Sequence, residues 1–152
     1  MKKNILKISI ILLFICLSNT ILSSNNSDNN LSSFYIEFIG QGGFISINYD
    51  KQILNKNIAL RGGLGIVGYM DKEYTLPISI SYIIGNKHSL ETGIGVTPWI
   101  LIKDFTISLN PNIWLGYRYQ QKDKLFFKIG SVYYLGNRSE SFFPGISIGV
   151  SF

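Results

Sequence analysis

The sequence predicts an all-β protein: an eight-stranded antiparallel up-and-down β-barrel, preceded by a cleavable N-terminal signal peptide. Three observations lead there. From Phe34 onward apolar residues recur at every second position, the period of a strand rather than a helix. The face they form carries no charge, while the opposite face is made of Gly and Ser with a few isolated charges. The chain holds ten Phe, nine Tyr and two Trp, yet only 15% of its residues are charged, against about 25% in ordinary globular proteins.

The N-terminus reads as an address. Lys2-Lys3 open it, and an apolar run from Ile5 to Leu17 follows, broken by Lys7 and Ser9. Ser18, Asn19, Thr20, Ser23 and Ser24 then supply small and polar residues. This is the three-part layout of a secretory signal peptide. The run is shorter than the roughly 20 apolar residues of a spanning helix. Residues 1–24 are therefore read as the signal peptide and 25–33 as a disordered polar leader. Residues 34–152 are read as one barrel domain.

Cys16 is the single cysteine. It reads as a small residue of the apolar run, with a lipoprotein acceptor cysteine as the sharper alternative. The mature chain then has no thiol and no disulfide. Three of the lysines behind the net charge of +5 also lie in this segment, leaving eleven basic residues against nine acidic ones. That excess is small and scattered, so no nucleic-acid partner is expected.

Eight alternating segments follow, near 34–40, 44–51, 57–68, 74–84, 88–97, 109–120, 124–134 and 143–152. Clusters of Gly, Asn, Lys and Asp separate them. Phe34, Ile36 and Phe38 show the apolar face, as do Ile78, Ile80 and Tyr82, and Ile146, Ile148 and Val150. Ser46, Asn48, Ala59, Gly63, Gly93, Gly116 and Ser147 show the other, with the large residues Phe44, Trp114 and Phe126 among them. A water-facing surface is normally about a quarter to a third charged. A Gly/Ser face suits instead the crowded interior of a narrow barrel. The apolar face then points to lipid, as in a transmembrane barrel.

The interior face holds Glu37, Asp50 and Glu91 against Arg61, Arg118 and Lys128. Three acids balance three bases, and buried charges are tolerable only when paired. The expectation is a mutually neutralised network across the lumen. Phe34, Tyr49, Tyr82, Tyr119, Phe127 and Phe152 fall near one end of their strands on the apolar face, the composition of an interfacial girdle. Tyr69, Tyr74, Trp99 and Phe105 are candidates for an opposite girdle. With the N-terminus periplasmic, the short polar turns at 54–56, 85–88 and 120–123 are periplasmic. Outer loops are expected at 69–73, 97–108 and 135–142, where Tyr69, Trp99, Phe142 and Phe143 offer aromatic contacts.

The last segment, Phe143-Pro-Gly-Ile-Ser-Ile-Gly-Val-Ser-Phe152, resembles the C-terminal strand of bacterial outer-membrane barrels. Gly116-Tyr-Arg-Tyr-Gln120 is similar to a run in small barrels of the OmpA/OmpX-like size class. The resemblance covers about residues 34–152. It implies location in the bacterial outer membrane, lipid as a partner, and recognition of the strand ending in Phe152 by the barrel-assembly machinery. It implies no activity.

Chemistry-bearing motifs are scarce. Gly40-Gln-Gly-Gly43 and Gly62-Gly-Leu-Gly65 lack the Lys-Ser/Thr of a phosphate loop and open no helix. His88, the single histidine, falls in a predicted turn beside Lys87. No catalytic residue, cofactor or metal is expected. The sequence points to a non-enzymatic membrane barrel with a structural role, or one of surface recognition or adhesion through its outer loops. A soluble secreted barrel holding a small apolar ligand in its core is the alternative, and a lipid-modifying enzyme is a weaker one.

Overall fold

The computed structural model describes residues 31–53, 57–68, 73–102, 106–135 and 141–152. The signal peptide, the leader up to residue 30, Tyr69 and Phe105 lie outside the described residues. Nine strand segments are present: β1 (Ser32–Gly40), β2 (Gly43–Ile53), β3 (Ile58–Ile66), β4 (Glu73–Thr75), β5 (Ile78–Gly85), β6 (His88–Leu101), β7 (Thr106–Tyr119), β8 (Lys124–Tyr134) and β9 (Ser141–Ser151).

β4 and β5 are one strand with a gap. Both pair with β3 and with β6 in a single continuous register. Pro77 sits between them and has no N–H to give the ladder. Its carbonyl still accepts from Gly63 N, at 3.0 Å. The architecture is therefore eight antiparallel strands, each paired with its sequence neighbours, and β1 closes the ring against β9.

The ring is staggered. The sideways path from Ser33 runs through Asp50, Arg61, Ser79, Gly95, Asn112, Tyr134 and Ser141. Extending the β9–β1 register, it returns at position 43, ten residues beyond residue 33. Eight strands with that stagger tilt by about 40° from the barrel axis. One end of the barrel holds Ser32, Phe152 and the short turns. The other holds the Gln41-Gly42 turn and the remaining connections.

Strand limits depart from the sequence reading in three places. The barrel begins at Ser32, inside the segment assigned to the polar leader. Ser32 exchanges backbone hydrogen bonds with Phe152, both 2.9 Å, and the Ser33 hydroxyl meets that of Ser151 at 2.8 Å. Pairing at a closed seam needs no apolar side chain, so composition did not reveal it. β1 and β2 reach nine and eleven residues as a result. β6 and β7 run fourteen residues each, so positions 97–101 and 106–108 of the expected outer loop lie in strands. Pro98 interrupted the apolar pattern there, yet it lies within β6, and Pro111 lies in β7, inside the segment read as a strand at 109–120.

The faces separate as the alternation predicts. Exposed apolar side chains run around the outside: Phe34, Ile36, Ile47, Leu64, Ile78, Ile94, Leu115, Ile129 and Ile146 are examples. Ser46, Asn48, Ala59, Ser79, Ser81, Glu91 and Ser147 are buried within. Phe44 is a correction: its parity put it inside, but it is 67% exposed. The cause is a break in alternation at the β1–β2 turn. Ile39 there adopts φ 48° and Gly43 φ 93°, and Phe38 and Ile39 both face outward.

Trp114 fills the upper lumen, with Val132 and Tyr134 beside it. Its indole needs the paired glycines Gly116 and Gly130 on β7 and β8. A methyl group on Gly116 would stand 2.8 Å from Trp114 Cζ2 and 2.5 Å from the Ile129 carbonyl oxygen. Gly116→Val is expected to cost about 1–3 kcal/mol by overpacking, read as a lower urea midpoint.

Candidate functional site

Six charged side chains gather in the lumen, and each comes from a separate strand. Glu37 is on β1, Asp50 on β2, Arg61 on β3, Glu91 on β6, Arg118 on β7 and Lys128 on β8. All six are buried. They form two clusters. In the upper one, Arg61 Nη2 donates to Glu37 Oε2 at 2.5 Å and Nη1 to Oε1 at 3.1 Å. Arg61 also donates from Nε to Asn48 Oδ1 at 3.1 Å.

In the lower cluster Arg118 reaches across the lumen. Its Nη2 donates to Asp50 Oδ1 at 2.7 Å and its Nη1 to Oδ2 at 2.9 Å, a bidentate pair. Nη1 also meets Glu91 Oε2 at 3.1 Å, and Lys128 Nζ meets Glu91 Oε1 at 2.7 Å. Aromatic rings cover the remaining faces of these cations. Arg118 Cζ lies 4.9 Å from the Phe126 centroid, and Lys128 Nζ lies 4.3 Å from Trp114. Tyr35 stacks on Phe126 at 4.6 Å and receives Arg61 at 5.6 Å.

Both mouths are sealed by neutral polar groups. At the lower end Gln52 Nε2 donates to Gln120 Oε1, 2.9 Å, and Gln120 Nε2 to Ser33 Oγ, 2.8 Å. At the upper end the β1–β2 turn folds into the barrel. Gln41 Nε2 donates to Asn112 Oδ1 at 2.9 Å, and Arg61 donates to Gln41 Oε1. The Gln41 carbonyl accepts from Thr97 Oγ1 at 2.9 Å and Tyr134 OH at 2.8 Å. Thr75 Oγ1 donates to the Gly42 carbonyl at 2.6 Å, and Gly42 N donates to Glu37 Oε2 at 3.1 Å.

The inward turn is held by six strands and carries strain at Ile39. A β-branched residue at positive φ is a true outlier, of the order of 1–3 kcal/mol. Only a heavily tied turn keeps such a conformation. Gln41, Gln52, Gln120, Tyr35 and Tyr134 were missed in the sequence. Gln52 and Gln120 lie one alternation step beyond Asp50 and Arg118, so extending the pattern reveals them. Gln41 lies in a turn, where alternation has no meaning.

The remaining candidates divide. Phe34, Tyr82 and Phe152 are exposed on the outside, and Tyr49, Tyr119 and Phe127 are half-buried there. Register links them, with Phe34 beside Tyr49 and Tyr119 beside Phe127. Tyr74 is exposed near the opposite end. Three residues expected in outer loops lie in strands instead. Trp99 is in β6, edge-on to Tyr134 at 6.0 Å. Phe142 and Phe143 are in β9 and exposed, with Phe143 also edge-on to Tyr134. Strand pairing with β8 and β7 extends that far because the hairpins are longer than their apolar patterns.

His88 opens β6 on the outside, with Nδ1 2.6 Å from Tyr117 OH. Ser89 turns into the lumen and donates to the Arg118 carbonyl, 3.2 Å, so these neighbours face opposite sides of the wall. Within the lumen the rings of Tyr35, Trp114 and Phe126 pack against the buried cations. Ion pairs and amides occupy the place where the soluble-barrel alternative requires an apolar core.

No protein-family model matches the sequence, and no curated protein matches it. Among solved structures, the chain is similar to the N-terminal β-barrel domain of Pseudomonas aeruginosa OprF. The TM-score is 0.59 at 12% identity, over 82% of this chain and 98% of that one. It is also similar to a barrel from the de novo design of transmembrane β-barrels, with TM-score 0.50 at 14% identity, over 84% of this chain and 97% of that one. At these identities the likeness is one of fold: the chain is a small closed eight-stranded barrel with the fold of outer-membrane β-barrels.

Proposed function

We propose that the protein is a non-enzymatic barrel embedded in the bacterial outer membrane, exported through the signal peptide at 1–24. Its role is structural, or one of surface recognition and adhesion through the connections at the Gln41 end. One observation carries the membrane reading. Large apolar side chains cover the outside of a closed barrel whose charges are paired inside. Soluble monomers rarely expose apolar patches beyond a few hundred Å², and lipid is the solvent that suits a continuous belt.

Phe142 and Phe143, exposed near the Gln41 end, favour contact with a surface partner there. The strand ending at Phe152 is the proposed handle for the barrel-assembly machinery. A filled lumen, sealed at both mouths, argues against solute passage. Membrane fractionation tests the central claim. The protein should stay in the outer-membrane pellet through carbonate and urea extraction and leave it only in detergent. Release without detergent would overturn the reading.

A further inference from the structure

Resting on the membrane reading, one further feature of the exterior stands out: the charges outside the lumen are unevenly shared between the two ends. Among the described residues, Lys51, Lys87, Lys122 and Lys124 lie at the end holding Ser32 and Phe152, with Asp123 as the acidic side chain there. Among the described residues, the opposite end carries Glu73.

Two of these lysines, Lys87 and Lys122, lie in adjoining turns of this rim. Lys87 occupies the β5–β6 turn, and its carbonyl accepts from Gln120 N at 3.0 Å. That bond ties its turn to the β7–β8 turn, which carries Lys122, while Lys124 opens β8 opposite the lumen-facing Ser151. Lys87 Nζ stands 5.3 Å from the Tyr119 ring centroid, and the His88 ring lies 5.2 Å from it. His88 Nδ1 and Tyr117 OH add a hydrogen-bonding pair alongside. Directly along the strands, exposed Ile84, Leu90 and Leu125 begin the apolar belt.

We propose that this rim patch binds the headgroup of an anionic phospholipid. The lysines meet the phosphate and its uncompensated negative charge, while Tyr117 and Tyr119 lie at headgroup depth. The acyl chains run along Leu90 and Leu125. Charge complementarity selects the occupant. Cations at the edge of an apolar belt suit a molecule that is anionic at one end and apolar along the rest. A zwitterionic headgroup carries its own cation and gains less.

The test uses the full chain refolded into phosphatidylcholine vesicles, with trace spin-labelled phosphatidylglycerol or spin-labelled phosphatidylcholine. Electron paramagnetic resonance reads the fraction of motionally restricted lipid. At low salt the protein should prefer the anionic label about fivefold, the effect of roughly one lysine near a charged surface. The preference should fall toward parity at 1 M NaCl, where the screening length is about 3 Å.

The variant K87Q/K122Q should sit near parity at all salt concentrations, and Glu73→Gln should behave as the parent. Parity for the parent at low salt would overturn the proposal, as it would if the patch served an acidic protein instead. Full preference in the double variant would overturn it too. If that variant fails to insert, the salt dependence of the parent decides. A parent that does not float with vesicles would overturn the membrane reading itself.

Discussion

Arg118→Ala is expected to lower the stability of the barrel by about 3–5 kcal/mol, the cost of breaking a buried ion pair from one side. Its guanidinium serves both Asp50 and Glu91, and Nε donates to Gln120 Oε1 at 2.8 Å. Removal leaves Asp50 as a carboxylate in a packed lumen, with the guanidinium that neutralised it gone. Glu91 keeps Lys128, so the damage centres on Asp50. Urea unfolding in vesicles, followed by tryptophan fluorescence, measures this because Trp114 lies in the same lumen.

Adding Asp50→Asn to Arg118→Ala should recover part of the loss. The coupling between the two positions then comes directly from a double-mutant cycle. A change within about 0.5 kcal/mol for Arg118→Ala, the size of an ordinary surface effect, would mean that water screens these charges. The lumen would then be wet rather than packed.

Ile94→Arg carries the second large effect. Ile94 is 63% exposed, in the interior of β6, with Ile80 and Ile113 as its lateral neighbours. A cation there sits near the middle of the apolar belt and should cost about 2–4 kcal/mol. Ile84→Arg, near the end of β5, should cost only about 0–1 kcal/mol, because the side chain can reach the interface. The depth dependence is the informative quantity. Two small and equal costs would indicate water around the barrel and would exclude the lipid belt.

These two experiments probe opposite faces of one wall, and the faces were readable for different reasons. Side-chain alternation is local: each strand residue points away from its neighbours, whatever the strand pairs with. Ile36 outside and Glu37 inside therefore followed from the residues around them. The balance of three acids and three bases was readable in the same way. Failures came where local geometry left the two-residue period. At Ile39 a left-handed residue breaks alternation, turning Gln41 inward and leaving Phe44 outside. At Pro98 the apolar pattern stopped while the hydrogen-bonded ladder continued.

The sequence by itself determined the two faces, the number of strands and the set of charges that had to be buried together. Only the tertiary structure decided which charge meets which. Arg118 finds Asp50 across 68 positions of chain, and Lys128 finds Glu91 across 37. Those meetings depend on the ten-residue stagger, which places the rungs of distant strands at one height. Stagger belongs to the closed ring and has no value until β1 meets β9, so no local pattern encodes it. The inward Gln41 turn has the same origin: its partners on β3, β4, β6, β7 and β8 stand around it only once the barrel is complete.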